Sequence, residues 1–181
     1  MKIFDIKKKF GEFLLDVKEM DLSKEKIYGI AGSNGSGKTT VMKIMAGLIK
    51  PDSGIVDYCG LSQGDITMVF RKPYLINSSV EKNLIYPLEI RKIKPDESRV
   101  EFFLKLAGLQ DMRKKHAKEL SGGQQQKLAL VRAFIFLPKL VFIDEGFSNL
   151  DTKSLDLFEE FILGQNDMRF VICSHQMDFV R

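Results

Sequence analysis

The sequence predicts an α/β fold built on a largely parallel sheet, and three observations carry that prediction. From Ile27 onward, short apolar runs of strand type alternate with stretches of helical periodicity. A glycine-rich segment, "GSNGSGKT", lies between one such strand and the helix that follows it. A second strand, "LVFIDE" at Leu140 to Glu145, is apolar until it ends in two acids.

Taken in order, "KIFDI", "EFLLDV" and "KIYGIA" read as short strands separated by charged or glycine-containing turns. From Lys38 the period changes to helical, with Val41, Ile44, Met45 and Leu48 on one face, and "KPDSG" marks a turn. Strands are expected near Ile55 to Tyr58 and Ile66 to Phe70. Residues 76–116 then read as a helical insertion, whose second helix carries an apolar stripe of Val100, Phe103, Leu104 and Ala107 with Gly108 placed as a C-cap. A helix from "LSGGQQQKLALVRAF", the strand "LVFID", a helix near Thr152 to Leu163 and the strand "FVIC" complete the pattern. Repeats, coiled-coil heptads and low-complexity linkers are absent.

The 181 residues are 44% hydrophobic and 29% charged, enough for one globular unit with a small subdomain. No apolar run is long enough to span a bilayer and the N-terminus lacks a signal-peptide core, so a cytosolic protein is expected. Cys59 and Cys173 stand far apart without a CxxC pair, and both are expected reduced and structural. The net charge of +4 comes partly from short basic runs at Lys7 to Lys9, Arg91 to Lys94 and Arg113 to Lys115. Such runs read as solvated faces, and no nucleic-acid partner is expected.

Four stretches carry chemistry. "GSNGSGKT", Gly32 to Thr39, fits GxxxxGK[ST] between a strand and a helix: its glycines let backbone N–H groups turn toward phosphates, Lys38 reaches the β- and γ-phosphates, and the Thr39 hydroxyl can ligate Mg²⁺. Asp144 and Glu145 stand at the strand end where α/β proteins bind ligands. Asp144 suits a magnesium shell and Glu145 can act on water as a general base, although the pair alone also fits an ordinary solvated strand end. Ser121, Gly122 and Gly123 open a helix whose N–H groups suit a phosphate, and they fit a plain cap equally well. His175, past the strand "FVIC", is compatible with a structural histidine or with a donor to a γ-phosphate that orients water with Glu145.

The order "GSNGSGKTT", "LSGGQ", "LVFIDE", "SNLD", "SHQ" resembles the ATP-binding cassette (ABC) ATPases over nearly the whole chain. The resemblance implies a P-loop NTPase of ABC type, with a largely parallel sheet core, an N-terminal antiparallel β subdomain and a helical subdomain. It implies one domain over 1–181, with 1–75 and 117–181 as nucleotide-binding core and 76–116 as helical subdomain. ATP and Mg²⁺ are the implied cofactors. ATP would contact Gly32, Ser33, Asn34, Gly35, Ser36, Gly37, Lys38, Thr39 and Thr40, with Phe10 stacking on adenine; Thr39 and Asp144 would hold the metal, and Glu145 and His175 would be catalytic. In that family two cassettes pair head to tail, so Ser121, Gly122, Gly123 and Gln124 would complete the site of a second copy, and Asp151 would lie at the dimer interface.

By the same resemblance, the chain would be the ATPase subunit of a transporter, bound to a separate integral membrane permease at the cytoplasmic face, in an arrangement that leans toward importers. The docking surface would be the groove near Arg71 to Tyr74 and the helical insertion, where Pro73, Tyr74, Leu75 and Ile76 offer exposed-loop apolar residues that fit local core equally well. A soluble ABC protein of DNA repair or translation is the alternative, and a P-loop kinase or GTPase of another class leaves LSGGQ unexplained. Three positions depart from the family pattern. Arg71 stands where a glutamine that touches metal or water is usual, and an arginine has no acceptor for Mg²⁺: either it points away or hydrolysis is altered. Gly146 replaces a common proline, and the sequence ends six residues after His175, as in a compact or shortened cassette.

Overall fold

The computed structural model describes residues 1–174. Its contacts divide the chain into two compact units: Met1–Met68 with Lys139–Asp144 and the described chain from Asp167, and Val69–Pro138 with Glu145–Asn166.

The first unit holds two sheets. Strand β1 (Lys2–Phe10) pairs antiparallel with β2 (Phe13–Asp21) through a two-residue turn, and β4 (Ser53–Asp57) joins the other edge of β1. Of the three N-terminal strands, therefore, only the first two belong to this antiparallel sheet. The third, β3 (Ile27–Ile30), lies in a four-stranded sheet of order β3-β7-β6-β5, with β5 at Ile66–Val69, β6 at Leu140–Asp144 and β7 at Arg169–Cys173. β7 pairs parallel with both β3 and β6. All five residues of β6 are buried, as befits a strand covered on both faces.

Helix α1 (Lys38–Met45) packs Val41, Met42, Ile44 and Met45 into the core with Ile3, Ile6, Phe142 and Val171. Leu48, expected on the same face, is exposed. The helix stops before it because Gly47 takes a left-handed φ of 73°, which turns the chain out of the helical path.

A smaller device ties β5 to β6. Asp65 accepts from the Ser62 hydroxyl at 2.6 Å and the Ser62 amide at 2.8 Å, and pairs with Lys139 at 3.1 Å. The Ser62 hydroxyl bond above all, then the Ser62 amide and Lys139, holds the Asp65 carboxyl down to about 2 from an ordinary 3.8. A folded-state pKa below the unfolded one gives stability that is present above pH 3.8 and lost as pH falls toward 2. Thermal melting should therefore show Asp65→Asn less stable than wild type at pH 7, with the gap closing below pH 4; a gap constant with pH would mean that the charge is irrelevant.

The second unit is helical: α2 (Val80–Ile90), α3 (Glu97–Ala107), α4 (Gly122–Phe134) and α5 (Thr152–Gly164). Ser79, Asp96, Ser121 and Asp151 cap their N-termini through side-chain acceptors. Gly108 ends α3 in the left-handed region, as its position suggests. Phe103, Phe134, Phe158 and Phe161 form the aromatic centre, with Phe134 and Phe161 stacked at 5.1 Å between centroids. Arg113 links α2 to α3 by bonding both Glu81 and Glu97; those carboxylates raise its guanidinium, and it lowers theirs in turn.

Cys59 and Cys173 are free thiols. Cys173 is buried in β7 and packs, whereas Cys59 sits exposed in a turn, so a structural packing role applies to Cys173 alone.

Candidate functional site

Parallel pairing aligns three strand ends in one row: Ile30 opposite Cys173, and Cys173 opposite Asp144. The glycine loop leaves the sheet from the first of these and Asp144 ends the last, so chemistry from distant parts of the sequence meets at one sheet edge. His175, two residues beyond Cys173, lies outside the described residues.

The loop from Gly32 to Ser36 is exposed, and its lysine is already turned into it. Lys38 Nζ donates to the carbonyls of Gly32 at 2.7 Å and Ser33 at 2.8 Å. Gly37 is the N-cap of α1 with φ 94°, and it offers no side-chain cap. A Cβ there would stand 2.8 Å from Leu15 Cδ1 and 3.1 Å from Phe13 Cζ, so the position needs glycine for both its dihedral and its space. A helix that starts with neither a side-chain cap nor an acid in its first turn presents its partial positive charge to an anion. Thr40 follows in the first turn, and Asn34 and Gly35 form the exposed tip.

Thr39 donates its hydroxyl to Asp144 Oδ2 at 2.7 Å, and Asp144 is buried at 4% exposure. Two hard oxygens brought together beside a phosphate loop fit Mg²⁺, which takes few protein ligands and fills its shell with phosphate and water. Among the described residues no group of three or more His, Cys, Asp or Glu side chains is placed to hold a metal ion.

Glu145, the next residue, begins the second unit and takes a left-handed φ of 51°, a costly conformation for a side chain with a Cβ. Its carbonyl accepts from the Ser148 amide at 3.3 Å and hydroxyl at 2.9 Å. Its carboxylate meets Arg71, whose Nε lies 3.0 Å from Oε2. The arginine that departs from the family pattern is thus turned toward the candidate base.

The α4 end is capped. Ser121 Oγ accepts from the Gln124 amide at 3.3 Å, and Gln124 Oε1 accepts from the Ser121 amide at 2.9 Å. The plain-cap reading is therefore realised, while nothing stands within 4 Å of where a Gly122 Cβ would be. At Gly123 a Cβ would come 3.0 Å from the Asn149 carbonyl, so its small size lets the "SNLD" loop approach. Asp151 caps α5 through Ser154 and pairs with Lys127 at 3.7 Å; the Ser154 amide, then its hydroxyl, lowers its carboxyl. Phe10 ends β1 with 46% of its surface exposed, and Lys8 Nζ stands 5.8 Å from its ring centroid.

Of the docking candidates, Tyr74 is 70% exposed, while Pro73, Leu75 and Ile76 are half-buried. Two residues that the motifs do not reveal hold this loop. Asn83, fully buried, accepts from the Ile76 amide at 2.8 Å and donates to the Ile76 carbonyl at 3.0 Å; Arg132 donates to the Tyr74 carbonyl. The available signal was a polar residue inside each apolar helical stripe, "VEKNL" and "LVRAF".

A family model described as ABC transporter matches residues 15–148. The chain belongs to the ABC transporter family. Its fold, with an antiparallel sheet, a parallel sheet and helices, is that of the ABC ATPases. It is 34% identical to the tungstate uptake system ATP-binding protein TupC of Peptoclostridium acidaminophilum over 189 aligned positions, covering 99% of this chain and 88% of that one. It is 31% identical to the methionine import ATP-binding protein MetN of Bacillus subtilis, covering 90% of this chain and 53% of the relative. The solved structure of cbiO1 from Clostridium perfringens, described as part of the ABC transporter complex cbiONQ, superposes with a TM-score of 0.76 at 24% identity, over 99% of this chain and 79% of that one. Uptake and import names among the relatives favour the transporter reading over DNA repair or translation. Among the described residues no helix is long and apolar enough to cross a membrane.

Proposed function

We propose that this ABC family member binds and hydrolyses ATP as the energy-supplying subunit of an importer. Its pore would be a separate integral membrane permease, against whose cytoplasmic face the chain would dock. The observation that carries the reading is the shared sheet edge, where the Lys38 loop and the Thr39–Asp144 pair stand together.

In this reading Lys38 leaves the Gly32 and Ser33 carbonyls for the β- and γ-phosphates, and the uncapped start of α1 supplies further N–H donors. Thr39 and Asp144 would hold Mg²⁺, which neutralises phosphate charge when bound. Glu145 takes the proton of a water as its oxygen bonds the γ-phosphorus, and the bond to ADP breaks. Phe10 offers an exposed ring for adenine, and His175 would donate to the γ-phosphate. Ser121, Gly122, Gly123 and Gln124 would face the nucleotide of a second cassette, with Asp151 near that interface. Residues 1–75 and 117–181 form the nucleotide-binding core in this scheme, and 76–116 the helical subdomain.

Phosphate release from ATP by the purified chain tests it. Release should require magnesium and stop with EDTA; ATP left intact, with or without added permease, would refute hydrolysis.

A further inference from the structure

The contact between Arg71 and Glu145 has a geometry that assigns Arg71 a task. Both lie in the same compact unit, and Arg71 Nε stands 3.0 Å from Glu145 Oε2. The carboxylate end is 12% exposed and the guanidinium end 73% exposed. Each end is fixed by its own backbone. At Glu145 the left-handed turn is closed by Ser148, and Phe147 next to it is buried at 3%. On the Arg71 side, Phe70 meets Tyr74 edge-on at 6.1 Å, Arg132 holds the Tyr74 carbonyl, and Asn83 holds Ile76. The Glu145 side chain has three rotatable bonds, so its direction is set by contacts beyond its own backbone, and Arg71 is one of them.

We propose that Arg71 is a positioning residue for the general base: its Nε–H, a charged donor, directs the Glu145 carboxylate. The inference rests on Glu145 being the base. Arginine suits the task because its planar head aims a donor in a fixed direction, whereas a lysine would offer only a mobile point charge. Arg71 acts through Glu145 and needs no contact with nucleotide. An ion pair exposed at one end is worth only a few-fold, while misplacing a reacting group by about 1 Å costs ~10²-fold. Losing the guide without losing the base falls between these, at about tenfold.

Two measurements test this. In the ¹H–¹⁵N NMR spectrum of the whole chain, the Arg71 Nε–H should be slow to exchange and resolved from other arginines, and should join them in Glu145→Ala. In turnover, Arg71→Ala should lower kcat about tenfold with KM for ATP unchanged, Arg71→Lys should recover part of the loss, and Arg71→Ala should cost nothing more in a Glu145→Gln background. An Arg71 Nε–H that exchanges like any surface arginine would overturn the assignment. So would an Arg71→Ala kcat at or above wild type, a loss carried by KM, or a loss that persists in the Glu145→Gln background. A wild type that binds ATP without hydrolysing it overturns the hydrolysis reading and the assigned role together; hydrolysis unaffected by Arg71→Ala overturns the role alone.

Discussion

Lys38→Ala should weaken ATP binding by ~10²-fold or more while leaving the melting temperature nearly unchanged. A charge-assisted hydrogen bond contributes about 1.5–3 kcal/mol, and two phosphate contacts about twice that. With a factor of ten for each ~1.4 kcal/mol, the range is ~10² to ~10⁴ in affinity. The lower end is expected, because the ammonium already bonds the carbonyls of Gly32 and Ser33 and must give them up to reach phosphate. Stability changes little because the loop is exposed and α1 is held from its other side by Val41, Met42, Ile44 and Met45. Lys38→Met separates the two roles of the side chain, since it keeps the aliphatic stem and removes the charge. Both variants should fail equally in a calorimetric titration with Mg-ATP. Affinity within tenfold of wild type would mean that the backbone N–H groups bind the phosphates without the lysine, and that the role given to Lys38 is wrong.

What the sequence disclosed depended on the range of the interaction. Period and punctuation marked every helix and strand of the core, because burial of a face and the dihedral needs of glycine are local. Gly108 and Ser121 are caps as their positions implied, and the β6 run is buried throughout. Leu48 misled because a helical period continues in the letters past Gly47, where the backbone turns away. The assignment of β3 to one sheet and β4 to the other was not legible, since strand letters carry no partner. In the candidate site, residue types and spacing named Lys38, Thr39, Asp144 and Glu145. They could not show that Thr39 and Asp144 touch across 105 residues of sequence, or that Arg71 turns toward Glu145. Asn83 and Arg132 showed in the sequence only as polar residues inside apolar helical stripes, which does not reveal that each holds the backbone of the loop at Tyr74 to Ile76.

The second large effect is expected at Glu145. Glu145 takes a left-handed φ of 51°, a conformation that Asp5, Cys59, Lys92 and Leu137 also adopt, although a glycine stands one residue later. Such strain costs on the order of 1–3 kcal/mol and persists where the surrounding structure holds it, here through the Ser148 bonds to the Glu145 carbonyl. Glu145→Gln keeps the size, the backbone and an oxygen able to accept from Arg71, so it isolates a single property, the capacity to take a proton. If that capacity is what the strained position provides, kcat should fall by ~10² to ~10⁴ with ATP affinity retained. ATP that binds but is not cleaved should also hold two copies together, so light scattering of the variant should show a dimer with Mg-ATP and a monomer with Mg-ADP. Turnover near the wild-type rate would remove Glu145 as base. A large fall in kcat without dimerisation would keep the base but place the pairing surface, including Ser121 to Gln124, under the control of the membrane partner.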